Sequence, residues 1–420
     1  MTGLQAGYRL VSDQPVLGGG AVRDILSQGG DREPGPWPRR VAAIAGLVLV
    51  AVVIVWQLPR HRQPTPHPRP AVTVAPLPPA ASGDHSGAGL PGGVSGQVMR
   101  ADSSLRLPVT GQQPGWLRPA TGRITAIGGL PAERLGYQFT HMAGGWAVQA
   151  NSAVTLRCSS CAGPPTPVYF LADRAQSVTR AGTANVVAPG ATAHSLWLTS
   201  YPPGADMRTA VGTAQEVSVA GRPPGPQLRL PAGYVIDRGT DRGLLLAPAV
   251  PSGMTADRLW NPADPQTSRT FDGVVAASAS RIAWVTRCAV LCRVHVLDLA
   301  TGRPTVVRLP GASSVVNAAF SPDGKFLALQ VSSGSQGDDG ALAMQLDVAS
   351  MASGRVVAVP GTSVSSDALV SFGWQADHDD LVAELSFMTK VQVTSWRPGA
   401  RELTVAVIQP GPQTASLIVG

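Results

Sequence analysis

The stretch Ala319-Phe320-Ser321-Pro322-Asp323-Gly324-Lys325-Phe326-Leu327-Ala328 decides the fold. An apolar run enters a tight polar turn, and a second apolar run leaves it at once. Pro322 presets φ, Asp323 can bond local backbone, and Gly324 supplies a position without Cβ strain. Strand, turn, strand is the reading.

Working outward, the apolar word Leu327-Ala328-Leu329 has counterparts along the chain. They are Trp146-Ala147-Val148, Leu196-Trp197-Leu198, Leu244-Leu245-Leu246, Ile282-Ala283-Trp284 and Val382-Ala383-Glu384. Their central residues are spaced 50, 48, 38, 45 and 55 apart. A period in the forties in β-type sequence predicts propeller blades of four strands. Glu384 breaks the last word, and alternation would put Leu381, Ala383 and Leu385 on one face.

Downstream of three words lies a second repeated feature. Val294–Leu299, Met344–Val348 and Val391–Trp396 each lead through a glycine-bearing turn into Val306–Leu309, Val356–Val359 and Leu403–Ile408. Each reads as the outer hairpin of a blade. Residues 99–420, divided by a mean period of about 47, give nearly seven units. Residues 99–125 and Ala415–Val419 are expected to combine into the seventh blade and close the ring. Six blades with a frayed end is the alternative, and a pair of β-sandwiches gives no reason for the period.

The turn Ser321-Pro322-Asp323-Gly324 with its flanking strands resembles the signature of TolB-like and WD-repeat-like β-propellers. A degenerate copy lies at Gly373-Trp374-Gln375-Ala376-Asp377. The resemblance implies an all-β propeller and a binding role. It implies no catalytic residue.

Upstream, Val41–Trp56 carries no polar side chain, and Gln57 and Leu58 extend the run to Leu58. That is long enough to span a bilayer core, with Trp37 and Trp56 as interfacial indoles. A buried soluble helix would show a polar face. A cleaved leader would be shorter and end at small residues, and a lipoprotein would need a nearby cysteine. A single-pass signal-anchor over 37–58 is the expectation, behind a short cytoplasmic tail at 1–36. Arg32, Arg39 and Arg40 balance Arg60, Arg62 and Arg69, so flanking charge leaves the orientation open. The proline-rich stretch 59–98 reads as an extended linker with a reach on the order of 100 Å.

Four cysteines fall into two local pairs, Cys158/Cys161 and Cys288/Cys292. Each pair follows an apolar word and precedes the next strand, where a hairpin can bring the Cα atoms within disulfide range. Two local structural disulfides are expected, and they place the C-terminal domain outside the cytoplasm. A shared zinc site would need distant blades to meet, and a redox centre would need a helix N-terminus. Free thiols would argue for the cytoplasm.

The formal net charge is +7. Arg100, Arg157, Arg238, Arg281 and Arg355 are scattered and read as solvated surface, so no nucleic-acid partner is expected. Gly-x-Ser-x-Gly, His-Glu-x-x-His, the P-loop and the dinucleotide fingerprint are all missing. His141, His194, His295 and His378 stand in unrelated contexts, and His295 reads as a strand residue. Asp377–Asp380 and Gly337–Gly340 carry calcium-type oxygens but read as turns. Trp146, Trp197, Trp284 and Trp374 read as packing between blades. No cofactor or metal is expected.

The function expected is a membrane-anchored extracytoplasmic binding or scaffold protein for a protein, peptide or envelope glycan. A propeller enzyme acting at the channel mouth, as a lyase or glycan hydrolase, is the second reading. It requires Asp, Glu, His or Arg from several blades to converge there. A transmembrane sensor is the third.

Overall fold

The computed structural model describes residues 88–89, 95–110, 114–131, 136–151, 160–218, 225–250, 256–286, 288, 291–336, 342–365, 369–375, 379–387 and 390–408. The tail at 1–36, the anchor at 37–58, most of the linker, Cys158, His378, Gly337–Gly340 and Ala415–Val419 lie outside them.

The described residues form seven sheets in chain order, antiparallel except for one parallel strand pair in the last. Blade 1 has strands Leu107–Val109, Gly115–Arg118 and Arg123–Ala126. Blade 2 has Tyr137–Met142, Gly145–Ala150, Thr166–Ala172 and Thr179–Ala184. Blade 3 has Val186–Pro189, Ser195–Ser200, Thr213–Ser218 and Gln227–Arg229. Blade 4 has Tyr234–Thr240, Gly243–Pro248, Asp257–Asn261 and Asp264–Phe271. Blade 5 has Val274–Ala277, Arg281–Thr286, Cys292–Asp298 and Pro304–Leu309. Blade 6 has Ala312–Phe320, Phe326–Gln336, Leu342–Ser350 and Val356–Ala358, with Val364–Ser365 added to its third strand. Blade 7 has Leu369–Trp374, Leu381–Phe387, Lys390–Trp396 and Leu403–Ile408.

All six apolar words fall on the second strand of blades 2 to 7. The second strand is sandwiched by its own blade and packed on both faces, which explains why it is apolar throughout. In blade 7 Leu381, Ala383 and Leu385 do share one face, packed against blade 6. The three outer hairpins are the third and fourth strands of blades 5, 6 and 7.

An apolar cluster fills every seam, so the blades hold each other and the ring closes. Trp116 meets Phe139 and Val148 between blades 1 and 2. Phe170 meets Leu196 and Leu198 in the next seam, and Trp197 meets Ile236 and Leu246 after that. Leu245 meets Ile282, Val294 meets Leu329, and Leu346 meets Phe372. Leu117 meets Val382 and Val393, joining blade 1 to blade 7. Each fully buried leucine contributes about 2 kcal/mol of transfer free energy.

The closing strand expected at Ala415–Val419 lies outside the described residues. Blade 1 is built by residues 107–126 alone among the described residues. Ser95–Val98 instead pairs in parallel with Leu403–Ile408, and Ala88–Gly89 pairs with Ser95–Val98. Residues read as the end of the linker are therefore part of the blade 7 sheet. Parallel pairing between strands so far apart in sequence leaves no local signature.

The Ser321 turn joins the first and second strands of blade 6. Ser321 Oγ donates to Asp323 Oδ1 at 2.8 Å and accepts from the Phe326 N–H at 2.9 Å. Asp323 Oδ1 also accepts from the Lys325 N–H at 2.9 Å. Pro322 is exposed at the apex, and Gly324 has φ 68° in the left-handed region.

Candidate functional site

The first strands line the centre of the ring, where those of neighbouring blades approach one another. In blades 4 to 7 that strand carries a β-bulge. Asp237 is skipped between Ile236 and Arg238, and Val275 between Val274 and Ala276. Ser313 and Val316 are skipped in blade 6, and Val370 in blade 7. A bulge breaks the strict alternation of side chains and re-aims them. Val275 packs against the seam between blades 5 and 6, and Ser313 Oγ donates to the Ser332 carbonyl at 3.1 Å. Val316, in mid-strand, is 46% exposed. Asp237, also in mid-strand, is exposed.

The bulge position carries valine in blades 5 and 7 and at one of the two in blade 6, but aspartate in blade 4. Val316 of blade 6 therefore gives the first strands an exposed apolar position, and blades 2 and 4 give them a polar side. On the polar side Asp237 and Arg238 couple to each other, and the Arg238 charge also reaches His141 of blade 2. His141 packs its ring against Trp146 at 4.7 Å.

The electrostatics follow from enclosure. Desolvation pushes the Asp237 carboxyl up, and Arg238 partly offsets this. Desolvation pushes the Arg238 guanidinium down, with Asp237 opposing. His141 is pushed down to about 4, first by desolvation and then by Arg238, so it is a neutral imidazole at pH 7. It offers one donor and one acceptor. Asp257, on the third strand of blade 4, is pushed up to about 7 by desolvation, then by the charges of Asp237 and Asp272. The Val274 N–H opposes that rise.

Asp237 and Arg238 are the functional candidates that sequence reasoning missed. The sequence reads Arg238 as solvated surface; it is half-buried on the first strand of blade 4, beside Asp237. A charged pair inside Tyr234–Thr240, a strand directly before an apolar word, was the available signal.

The other sequence candidates lie elsewhere. Cys288 and Cys292 are disulfide-bonded across the hairpin between the second and third strands of blade 5, Cα–Cα 4.3 Å. Cys161 is disulfide-bonded in the corresponding loop of blade 2, while Cys158 lies outside the described residues. His194 sits in a turn with its ring edge-on to Phe170. His295 lies on a blade 5 strand, stacked on Trp284 at 5.3 Å. Asp380 pairs with Arg397 at 2.8 Å. Among the described residues no group of His, Cys, Asp and Glu is arranged to hold a metal ion. Trp146, Trp197 and Trp284 are on second strands and Trp374 is on a first strand.

The fold is thus a seven-bladed β-propeller. No protein-family model matches the sequence, and no curated protein matches it. Solved structures resemble it in fold. The β-propeller domain of the trilobed protease from Pyrococcus furiosus aligns with TM-score 0.44 at 7% identity, over 76% of this chain and 94% of that one. A prolyl endopeptidase aligns with TM-score 0.47 at 12% identity, over 73% of this chain and 51% of that one. Hydrazine synthase from Kuenenia stuttgartiensis aligns with TM-score 0.38 at 13% identity, over 59% of this chain and 80% of that one. These likenesses concern the fold alone.

Proposed function

We propose that the chain is a membrane-anchored, extracytoplasmic binding protein whose propeller channel holds part of a protein, peptide or envelope glycan. One observation carries this reading. The first strands of the ring carry His141, Asp237 and Arg238 in blades 2 and 4 and the exposed Val316 in blade 6. A concave site with an apolar wall and a few convergent polar groups is the usual form of a ligand site. Neutral His141 and the Asp237–Arg238 pair supply hydrogen bonds without a strong net charge.

The test is photo-cross-linking on intact cells, with the reactive group placed at Val316 in the channel or at Val407 on the rim. Both positions are equally exposed, at 46%. A channel ligand labels Val316 only, and the D237A/R238A variant loses the label. Equal labelling from both positions, or none at Val316, overturns the reading.

Asp257 supports catalysis as the second reading. A carboxyl that keeps its proton up to about 7, beside a second carboxylate, suits general acid chemistry. The D257N variant separates the two: it keeps the cross-link if the site binds, and it stops ligand consumption if the site is catalytic.

A further inference from the structure

Blade 5 is strongly basic at one end. From Arg281 to Leu309 the chain holds five arginines, and Asp298 is its sole acidic residue. Asp298 lies opposite Arg281, 3.8 Å away, at the far end of the strands. At the near end Thr286, Arg293 and Arg308 stand in one row across three strands. Trp284, His295 and Val306 form the adjacent row on the same face.

Farther along that face Ile282 and Leu297 pack into the seam with blade 4, beside Leu245 and Phe271, and Trp284 packs against them; the rows beyond are open. Val294, Val296, Val307 and Leu309 point the other way, into the seam with blade 6. Arg293, Arg308 and Val306 are exposed, the last at 45%. Arg293 and Arg308 are direct cross-strand neighbours, an arrangement that costs stability for like charges. Among the described residues neither forms an ion pair. Arg269 of blade 4 adds a third cation, its guanidinium held 5.2 Å from the Phe271 ring centre and 5.8 Å from that of Trp284. Stacking on rings leaves the N–H edge of a guanidinium free for acceptors. The Cys288–Cys292 disulfide closes the hairpin that presents Thr286 and Arg293, so the patch is preorganised.

We propose that this face of blade 5, with Arg269, is a docking site for an anionic polysaccharide. The three arginines match carboxylate groups along a chain. Thr286 and His295 offer hydrogen bonds to hydroxyls, and Val306 offers apolar contact to a sugar ring. A single-stranded nucleic acid fits less well, because it needs an open aromatic platform. Trp284 has His295 stacked on it and Arg269 against it. The site is separate from the channel.

The test is binding of polygalacturonate to the full chain in detergent, with neutral dextran and a single-stranded oligodeoxynucleotide as comparison probes. Wild type is expected to bind polygalacturonate and not dextran, and binding weakens with salt. The R293Q/R308Q variant is expected to lose at least about tenfold in affinity. The R355Q/R401Q variant removes the same charge at exposed sites elsewhere and binds like wild type. Without ligand, R293Q/R308Q melts at or above the wild-type temperature, because a repulsion is gone. Polygalacturonate raises the melting temperature of wild type but not of that variant. Equal loss in R355Q/R401Q, unchanged binding by R293Q/R308Q, or tighter binding of the oligodeoxynucleotide overturns the proposal.

Discussion

Trp374 on the first strand of blade 7 donates its indole N–H to the Ala319 carbonyl on the first strand of blade 6, at 2.9 Å. One bond therefore ties two sheets that share no ladder. Trp116 does the same between blades 1 and 2, reaching the Ala175 carbonyl at 2.7 Å. Trp374 is 5% exposed, so both its ring and its N–H are inside the seam.

The first prediction separates these two contributions. Trp374→Phe keeps most of the ring and loses the bond, at a cost of about 1 kcal/mol. Trp374→Ala also opens a cavity and costs about 3–5 kcal/mol. Urea unfolding of both variants measures the difference. Equal losses would mean that the bond contributes nothing.

Glu384 gives the second. It is 5% exposed on the second strand of blade 7 and accepts from Ser371 Oγ at 3.1 Å. Desolvation pushes it from 4.5 up to about 7, against the Ser371 bond. A raised carboxyl binds its proton more tightly in the folded chain, so stability falls as pH rises from 4.5 to 7. Glu384→Gln keeps an acceptor and cannot ionise. At pH 8 the variant should be more stable than wild type by on the order of 2 kcal/mol, and near pH 4 the two should match. Melting curves across pH check this, and a difference independent of pH would contradict it.

The contrast between Ser321 and Asp237 shows what was legible in the sequence. The Ser321 turn is local: four consecutive residues define it, and period and hairpins follow from neighbouring strands. The repeat was legible because every second strand is buried on both faces and must be apolar. Asp237 sits on a bulge, and nothing in its flanking residues announces a skipped ladder position. Arg238, beside it, acts on His141 of blade 2 only because the ring brings the two strands together. The pairing of Gly96 with Leu403 is equally non-local.

That pairing carries the third prediction. Gly96, Gln97 and Val98 match Leu403, Thr404 and Val405 in parallel register, and the Met99 N–H continues to the Val405 carbonyl at 2.8 Å. The Gln97 side chain also donates to Glu402 Oε2. A fragment starting at Met99 strips these bonds and opens the edge at Leu403–Ile408 to intermolecular pairing. Compared with a fragment starting at Ser86, it should lose about 1–3 kcal/mol and self-associate with rising concentration. Light scattering and thermal melts of the two fragments decide it. Two equally stable monomers would show that the added strands do not guard the edge.

The disulfide of blade 5 carries the last. Cys288 and Cys292 are separated by 4 in sequence, and Cys292 is fully buried in the seam with blade 6. A loop that short restricts the unfolded chain modestly, and chain-entropy arguments give about 2 kcal/mol. The C288A/C292A variant should lose that much, and its hairpin should exchange amide hydrogens faster at Thr286 and Arg293. The oxidation state also bears on where the domain resides. Structural disulfides persist in oxidising compartments and are rare in the cytosol. Alkylation of intact cells before lysis, followed by mass spectrometry, should find Cys288 and Cys292 unmodified by the alkylating agent. Recovery of both as alkylated thiols would place the ring in a reducing compartment. The seams would be unaffected, since the apolar clusters do the closing, but the extracytoplasmic reading would lose its physical basis.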